Sequence, residues 1–343
     1  MIFIIKKRNM DNKMTALISF RNEYDEVEKT VKSIRATTDN MPIILVNDAS
    51  DNDYDYKAIA DKYNCEYIHN TIPSGVAGAR VDGVKSVKTP YFIILDGHMR
   101  IWEKDWDKRA VQIMEEYGTD NVYFGRTLSL LDEYDNMTLE ELQPKVIQTY
   151  GCCIAHEKYT LIPKWAYKSE KIDENEKIVQ VPCLLGACYM FSVENWNRLK
   201  MLEGLKCWGQ DEPLISLKTF LAGNKVLLIT DMIFGHLYRQ KRPYTTINYK
   251  MNSNYIYCNY LFSRNEEEFN NLNSFLKKNI SDYHYKLSYD EFEKDIEKTK
   301  EMKDYLYNNV FVKTMDEFWE FNNSFYPKST QELLAKYEEI INK

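Results

Sequence analysis

The chain has 343 residues, of which 44% are hydrophobic and 28% are charged, so it is long enough for one large domain or two smaller ones. Its formal net charge of −7 argues against a surface that coats nucleic acid, although a local basic groove is compatible with that charge. Seven cysteines without a CxxC pair favour reduced thiols over a disulfide framework or a zinc site, which predicts a cytoplasmic protein. No apolar run has the length of a membrane span, and the run over residues 1–5 precedes its positive charges, unlike a secretory signal.

Strands alternate with helices in the first part of the chain. Apolar runs rich in β-forming residues predict strands over residues 15–20, 42–46, 65–69, 91–95 and 122–128. Amphipathic segments predict helices over residues 25–35, 56–63, 74–87 and 102–117. Because strands and helices alternate through short connections, the pattern indicates a mostly parallel α/β sheet in three layers.

The second half of the chain is more helical. Its predicted helices cover residues 139–148, 193–201, 214–222, 254–262, 289–307 and 331–341, with a strand over 226–229 and a loop over 168–177. These elements divide the chain into an N-terminal extension over residues 1–14, a catalytic domain over 15–250 and a helical segment over 251–343. We expect the helical segment to pack against the catalytic domain or to form an oligomer interface.

The strand predicted over residues 91–95 runs directly into Asp96, Gly97 and His98. Residues two apart in an extended chain point to the same side, so Asp96 and His98 can face one point in space. A carboxylate and an imidazole at that spacing make half of a metal site, and parallel α/β sheets bind ligands at the carboxyl ends of their strands. Taken alone, the triplet is equally compatible with a polar turn.

Three further segments follow in a fixed order, and together they resemble a known family. They are Gly186-Ala-Cys-Tyr-Met-Phe191, Trp208-Gly-Gln-Asp-Glu212, and Gly235-His-Leu-Tyr-Arg239 with Arg242-Pro-Tyr244. Asp96-Gly97-His98 resembles the Asp-x-His motif of the polypeptide N-acetylgalactosaminyltransferases. The first two of the three segments together resemble the Gly-Gly … Trp-Gly-Gly-Glu-Asn block of that family, and the third resembles its Gly-His-Val-Phe-Arg … His-Pro-Tyr segment. Residues 18–23 and 45–50 also resemble family-2 glycosyltransferases. The resemblance covers residues 15–245 and implies an α/β GT-A fold, Rossmann-like, to which the helical segment is a C-terminal appendage.

The resemblance implies a metal-dependent transferase that uses a UDP-sugar. Asp96, His98 and His236 would be the metal ligands, a mixed set that suits Mn²⁺, with Mg²⁺ as the alternative. The metal would neutralise the charge that builds up on the departing nucleoside diphosphate. Four donors stay open, namely UDP-GalNAc, UDP-GlcNAc, UDP-glucose and UDP-galactose.

The resemblance also assigns a donor site. Asp48 would accept a hydrogen bond from the base or ribose, and Phe20 would cover the ring, with helix capping as the alternative role for Asp48. Arg80, near glycines at a predicted helix start, would hold the diphosphate or the sugar, with a structural salt bridge as its alternative. The complete set of candidate donor-binding residues is Phe20, Arg21, Glu23, Asp48, Arg80, Asp96, Gly97, Gly186, Ala187, Trp208, Arg242 and Tyr244.

The catalytic candidates are Asp211, Glu212 and Arg239. Where the resembled transferases have Glu-Asn, this chain has Asp211-Glu212, and a carboxylate at 212 can deprotonate an acceptor hydroxyl whereas an asparagine cannot. Asp211 would hydrogen-bond sugar hydroxyls, and Arg239 would add positive charge where negative charge develops. Retention and inversion at the anomeric carbon both stay open, and the two acids could also cap the helix predicted over residues 214–222.

For such a transferase the expected acceptor is a hydroxyl group, and a protein, a glycan and a modified nucleobase all stay open. The acidic chain disfavours nucleic acid, while the basic residues between 239 and 242 keep it open. One alternative function is an inactive sugar-nucleotide-binding or scaffold protein, whose helical segment holds a partner. A nucleotidyltransferase is the other alternative, and it would consume a nucleoside triphosphate and release pyrophosphate.

Overall fold

The computed structural model describes residues 12–131, 134, 137–151, 153–154, 161–164, 169, 171–239 and 243–326. The apolar run over residues 1–5, the helix predicted over 331–341 and the candidate Arg242 lie outside the described residues, as does part of the loop predicted over 168–177.

Twelve strands and twelve helices make up the described part of the chain. The strands are β1 (Met14–Phe20), β2 (Ile43–Asp48), β3 (Glu66–Asn70), β4 (Tyr91–Asp96), β5 (Met99–Ile101), β6 (Val122–Leu130), β7 (Gln148–Thr149), β8 (Cys153–Ile154), β9 (Pro163–Lys164), β10 (Ile178–Gln180), β11 (Cys188–Ser192) and β12 (Val226–Leu237). The helices are α1 (Glu26–Thr37), α2 (Tyr56–Lys62), α3 (Gly75–Val84), α4 (Trp106–Tyr117), α5 (Leu139–Leu142), α6 (Val193–Leu199), α7 (Asp211–Leu221), α8 (Asn248–Phe262), α9 (Glu266–Asn279), α10 (Asp282–Glu293), α11 (Ile296–Asn309) and α12 (Met315–Asn323).

Ten of these strands form one sheet, with the order β10-β12-β6-β11-β4-β1-β2-β3, to which β5 and β7 add at β12 and β6. Strands β1, β2, β3 and β4 are parallel, as are β6 and β12, whereas β11 runs antiparallel to both β4 and β6. The predicted mostly parallel α/β sheet is therefore confirmed. Its carboxyl edge brings the ends of β1, β2 and β4 together, which is where the candidate residues begin.

The sheet separates two apolar layers. Alternate side chains of β1 enter different layers, because Leu17 packs with one cluster and Ile18 with the other. Helices α1, α2 and α4 cover the Ile18 face, and α3, α6 and α7 cover the Leu17 face. This arrangement gives the three layers that the sequence predicts.

The C-terminal helices belong to the Leu17 layer. Ile256 and Leu261 of α8, Phe292 of α10 and Phe318 of α12 are buried in the same cluster as α6 and α7. Among the described residues, no helix is both long and apolar enough to cross a membrane. Packing against the preceding domain, one of the two expected roles of the helical segment, is therefore seen in the structure.

Several predicted elements have other bounds in the structure. The helix predicted over residues 139–148 ends at Leu142, shortly before Pro144, and β7 then pairs with β6. The helix predicted over 289–307 is two helices, since α10 ends at Glu293 and α11 starts at Ile296. The strand predicted over 226–229 continues through an irregularity between Ile229 and Ile233 to Leu237.

We expect Phe318→Ala to lower the free energy of unfolding by about 3–5 kcal/mol, because it empties a fully buried site in which the ring lies edge-on to Phe220 at 5.4 Å. Tyr283→Ala is the control, since that side chain is 69% exposed and its loss changes the free energy by at most about 0.5 kcal/mol. Chemical denaturation of both variants measures the difference. Equal, small effects would contradict the packing of α12 against α7.

Candidate active site

The carboxyl ends of β1, β2 and β4 open into a cleft of about 470 Å³. Apart from Arg242, which lies outside the described residues, every candidate residue lines this cleft, including the pair Asp211 and Glu212 and the cation Arg239. Residues from seven separate parts of the sequence thus meet in one cavity, whose size is typical of a small-ligand site.

One polar group in the cleft combines Asp96, His98 and His236, whose ligand atoms all lie within 4.8 Å of one another. Strand β12 pairs with the short strand β5, and this register places His236 opposite Met99. The imidazoles of His98 and His236 therefore stack with their centroids 4.8 Å apart, and His236 Nε2 lies 3.4 Å from Asp96 Oδ2. Both ring nitrogens of His236 are buried without a hydrogen-bond partner among the described residues, as expected for a group that awaits a ligand. One carboxylate and two imidazoles fit a divalent transition metal.

Glu23 stands behind His98. Its carboxylate Oε2 accepts a hydrogen bond from His98 Nδ1 at 3.1 Å and pairs with Nη1 of Arg239 at 2.5 Å. A bond at Nδ1 leaves Nε2 of His98 available as a ligand atom and fixes the orientation of the ring. Glu23 is among the candidate donor-binding residues of the sequence analysis, and in the structure its carboxylate bonds the ring of a candidate metal ligand.

Arg80 joins two acidic groups from opposite walls of the cleft. Its Nη2 donates to Asp96 Oδ1 at 2.7 Å, and its Nη1 pairs with Asp211 and donates to the Tyr189 hydroxyl at 2.8 Å. The guanidinium is only 2% exposed, so these charges act on each other with little screening by water. Burial opposes ionisation of Asp96, but the nearby imidazole of His236 and the charge of Arg80 outweigh it, and the pKa of Asp96 lies well below its ordinary value.

Asp48 caps helix α3. Its Oδ1 accepts from the Ser74 amide at 2.7 Å and the Ser74 hydroxyl at 2.9 Å, and its Oδ2 accepts from the Gly75 amide at 2.8 Å. From the sequence, the start of this helix is expected to bind an anion, and in the structure its backbone amides bind the carboxylate of Asp48. Gly75 has φ +79°, and a Cβ there would lie 2.4 Å from Cys207 Cα, so only glycine permits the contact between α3 and the loop before α7.

Asp211 and Glu212 form the first turn of α7, three residues earlier than the helix predicted from 214. The helix begins after Gln210, whose own side chain makes no cap hydrogen bond. Glu212 packs over Gly186, where a Cβ would lie 2.3 Å from its Oε1. Burial and the neighbouring charge of Asp211 raise the pKa of Glu212 well above its ordinary value.

Two tyrosines that the sequence analysis quotes but does not single out also belong to the cleft. The Tyr189 hydroxyl donates to Asp211 Oδ2 at 3.0 Å, and the ring of Tyr238 lies edge-on to His236 with centroids 4.4 Å apart. Both lie inside the quoted segments, but only the pairing of β11 with β4 and β6, and of β12 with β5 and β6, shows that they face the site.

Residues 15–197 match the family model described as "Glycosyl transferase family 2". The chain belongs to this family. This family-2 chain is 21% identical over 253 residues to polypeptide N-acetylgalactosaminyltransferase 4 of Caenorhabditis elegans, covering 67% of the chain and 39% of that protein. It is 21% identical over 235 residues to polypeptide N-acetylgalactosaminyltransferase 14 of Homo sapiens, covering 66% of the chain and 41% of that protein. The chain therefore spans about two-fifths of the length of these relatives.

The fold of this family-2 chain is similar to the crystal structure of GalNAc-T7 with UDP, GalNAc and Mn²⁺. The TM-score is 0.62 at 18% identity, over 90% of this chain and 56% of that one. The GT-A fold with a helical C-terminal region, which the motif resemblance implies, is thereby confirmed.

We expect Arg80→Gln to lower the free energy of unfolding by about 3–5 kcal/mol at pH 7 in EDTA, because Asp96 and Asp211 would lose their shared buried counter-charge. Arg21→Gln is the matched control, since Arg21 pairs with the largely exposed Asp51 and its loss costs at most about 1 kcal/mol. Denaturant titration compares the two variants. A loss below about 1 kcal/mol for Arg80→Gln would show that the acids do not depend on this guanidinium.

Proposed function

We propose that the chain is a metal-dependent glycosyltransferase that moves a sugar from a UDP-sugar to an acceptor hydroxyl. The observation that carries the proposal is the meeting of Asp96, His98 and His236 within 4.8 Å inside a cleft that Glu212 and Arg239 also line. Membership of glycosyl transferase family 2 supports it, as does the similarity to a structure described with UDP, GalNAc and Mn²⁺. Fold alone would not fix the activity, so the site residues are the basis of the proposal.

We propose Asp96, His98 and His236 as the residues that hold the metal. Two imidazoles suit Mn²⁺ better than Mg²⁺, which prefers a shell of oxygens, so Mn²⁺ is the proposed ion. When bound, the ion would supply positive charge for the diphosphate leaving group. Glu23 supports this role because it fixes the His98 ring from behind, and Arg239, paired with Glu23, adds a second cation at the same place.

Glu212 is the proposed general base for the acceptor hydroxyl. A raised pKa brings the proton affinity of this carboxylate closer to neutral pH, where proton transfer from a positioned hydroxyl is most effective. A base that deprotonates the acceptor hydroxyl lets its oxygen displace UDP from the sugar in a single step. Such a displacement inverts the configuration at the anomeric carbon. The anomeric configuration of the product therefore tests this assignment directly.

The donor-binding residues and the location are proposals as well. Phe20, Arg21, Asp48, Trp208 and Tyr244 line the cleft beside the proposed metal ligands, which supports their assignment to the nucleotide and its sugar. Six cysteines of the described residues form no disulfide, which supports a cytoplasmic location.

We expect release of UDP from at least one UDP-sugar in the presence of Mn²⁺, and its loss in EDTA and in Asp96→Ala. The substitution removes a proposed ligand, while Asp39→Ala, on an exposed side chain that pairs with Lys108, is the control and keeps the full rate. A coupled assay for UDP across a panel of donors, with Mn²⁺, Mg²⁺ and EDTA, measures both effects.

Other outcomes of the panel contradict the transferase. Tight binding of UDP and Mn²⁺ without release from any donor, with or without acceptors, indicates the inactive sugar-nucleotide-binding protein. Release of pyrophosphate from a nucleoside triphosphate indicates a nucleotidyltransferase instead.

We expect the turnover number to fall as the pH is lowered through a midpoint well above 4.5, the ordinary pKa of glutamate, because Glu212 must be ionised to act as a base. Asp211→Asn removes a negative charge that raises the pKa of Glu212, so the midpoint moves to lower pH. Glu212 interacts electrostatically with six titratable groups of the described residues. They are Asp211, Cys183, Arg80, Tyr189, Tyr238 and Tyr255.

Glu212→Gln is the matched variant for the base. It keeps the shape of the side chain and is expected to lower turnover by about 10²–10⁴-fold while removing the pH midpoint. Initial rates between pH 4 and 9 measure the profile, and NMR of the product gives the anomer. An unchanged midpoint in Asp211→Asn, or a retained anomeric configuration, would contradict the role of Glu212 as the base of a single displacement.

A further inference from the structure

The loop that carries Trp208 into helix α7 has an unfavourable backbone. Cys207 has φ +56°, Gly209 has φ +97° and Gln210 has φ +72°, so two residues with side chains lie in the left-handed region. Each such residue costs on the order of 1–3 kcal/mol and persists only where the surrounding structure determines its conformation. Neighbouring elements must therefore hold this loop in place.

Asn254 of helix α8 makes four of the hydrogen bonds that hold it. Its side chain is 1% exposed, its Oδ1 accepts from the Lys206 amide at 2.8 Å, and its Nδ2 donates to the Lys206 carbonyl at 2.6 Å. The same Nδ2 donates to the carbonyls of Gly209 at 3.0 Å and Trp208 at 3.3 Å. One side chain thus satisfies the backbone of three loop residues, and a buried amide in such a network is costly to remove.

The C-terminal helices hold the loop at a second point. The Lys206 ammonium donates to the Glu291 carbonyl at 2.7 Å and pairs with Asp295 at 2.9 Å, next to the junction of α10 and α11. Tyr257, one turn after Asn254 on α8, donates its hydroxyl to the Glu203 carbonyl at 2.7 Å. The segment before α7 therefore takes its shape from the helical segment as well as from the sheet.

We propose that Asn254 is a positioning residue for sugar transfer, an inference that rests on the proposed function. Asn254 is not among the described residues that line the cleft, so it acts through the loop. It fixes the backbone at Trp208, and the loop in turn sets the position of Asp211 and Glu212, which follow Gln210 at the start of α7. A displacement of about 1 Å of such groups is enough to cost about 10²-fold in rate. The helical segment is then part of the catalytic unit.

Asn254→Ala tests this role beside Asn259→Ala, a matched control on the same helix. Asn259 is also buried, and its Nδ2 donates to Asn273 Oδ1 at 2.9 Å, away from the loop. The turnover number is calculated per site that binds UDP in the presence of Mn²⁺. Unfolded protein in a preparation therefore does not lower the measured value. We expect a fall of about 10–100-fold in turnover for Asn254→Ala with a UDP dissociation constant within about threefold of wild type. Asn259→Ala keeps at least about half of the wild-type turnover.

Hydrogen exchange gives a readout that does not depend on activity. Exchange at the Lys206 amide and across residues 203–210 becomes faster in Asn254→Ala and stays unchanged in Asn259→Ala. If Asn254→Ala does not fold, Asn254→Asp repeats both measurements, because it keeps the acceptor for the Lys206 amide and loses the three donations.

Two results would overturn the proposal: equal loss of turnover in both asparagine variants, or unchanged exchange of the loop in Asn254→Ala. If the wild type releases UDP from no donor, the proposed function fails and the role in transfer fails with it. Hydrogen exchange then still decides separately whether Asn254 holds the loop.

Discussion

One buried guanidinium, that of Arg80, connects the two halves of the candidate site. It bonds Asp96 at the end of β4 and Asp211 at the start of α7, two acids that would repel each other without a cation between them. Arg80 itself is placed by helix α3, whose first turn is capped by Asp48 at the end of β2. The same turn contacts the loop before α7 through Gly75 and Cys207. The geometry of the site therefore depends on a chain of contacts that starts at the carboxyl edge of the sheet.

Local patterns in the sequence account for the parts of the site that lie within single segments. Alternation along a strand predicts that Asp96 and His98 point the same way, and the order of strands and helices predicts the edge at which they lie. The position of His236 depends on the pairing of β12 with β5, a three-residue strand with no sequence signal of its own. Glu23 and His98 are likewise separated by 75 positions in the sequence, and Arg80 and Asp211 by 131 positions. No local pattern can show contacts between residues so far apart in the chain.

The helical segment is the part that the sequence describes least well. Helix α8 lacks a strong apolar period, α9 and α12 are absent from the predicted elements, and the continuous pattern over residues 289–307 conceals the break between α10 and α11. Tertiary packing supplies what the local pattern lacks, because Phe269, Phe292 and Phe318 are buried in the layer that covers the sheet. Asn254 and Lys206 connect the same helices to the loop that carries Trp208. A segment that looks like an addition in the sequence thus shares both a core and a functional loop with the GT-A part.

The most direct test of the central claim is the position of the metal. We would grow crystals of the full chain with UDP and MnCl₂ and measure anomalous scattering near the manganese absorption edge. A single strong anomalous peak in contact with Asp96, His98 and His236, beside the phosphates of UDP, is the result that this account predicts. UDP bound in the cleft with no peak at these residues, or with a peak elsewhere, would contradict it.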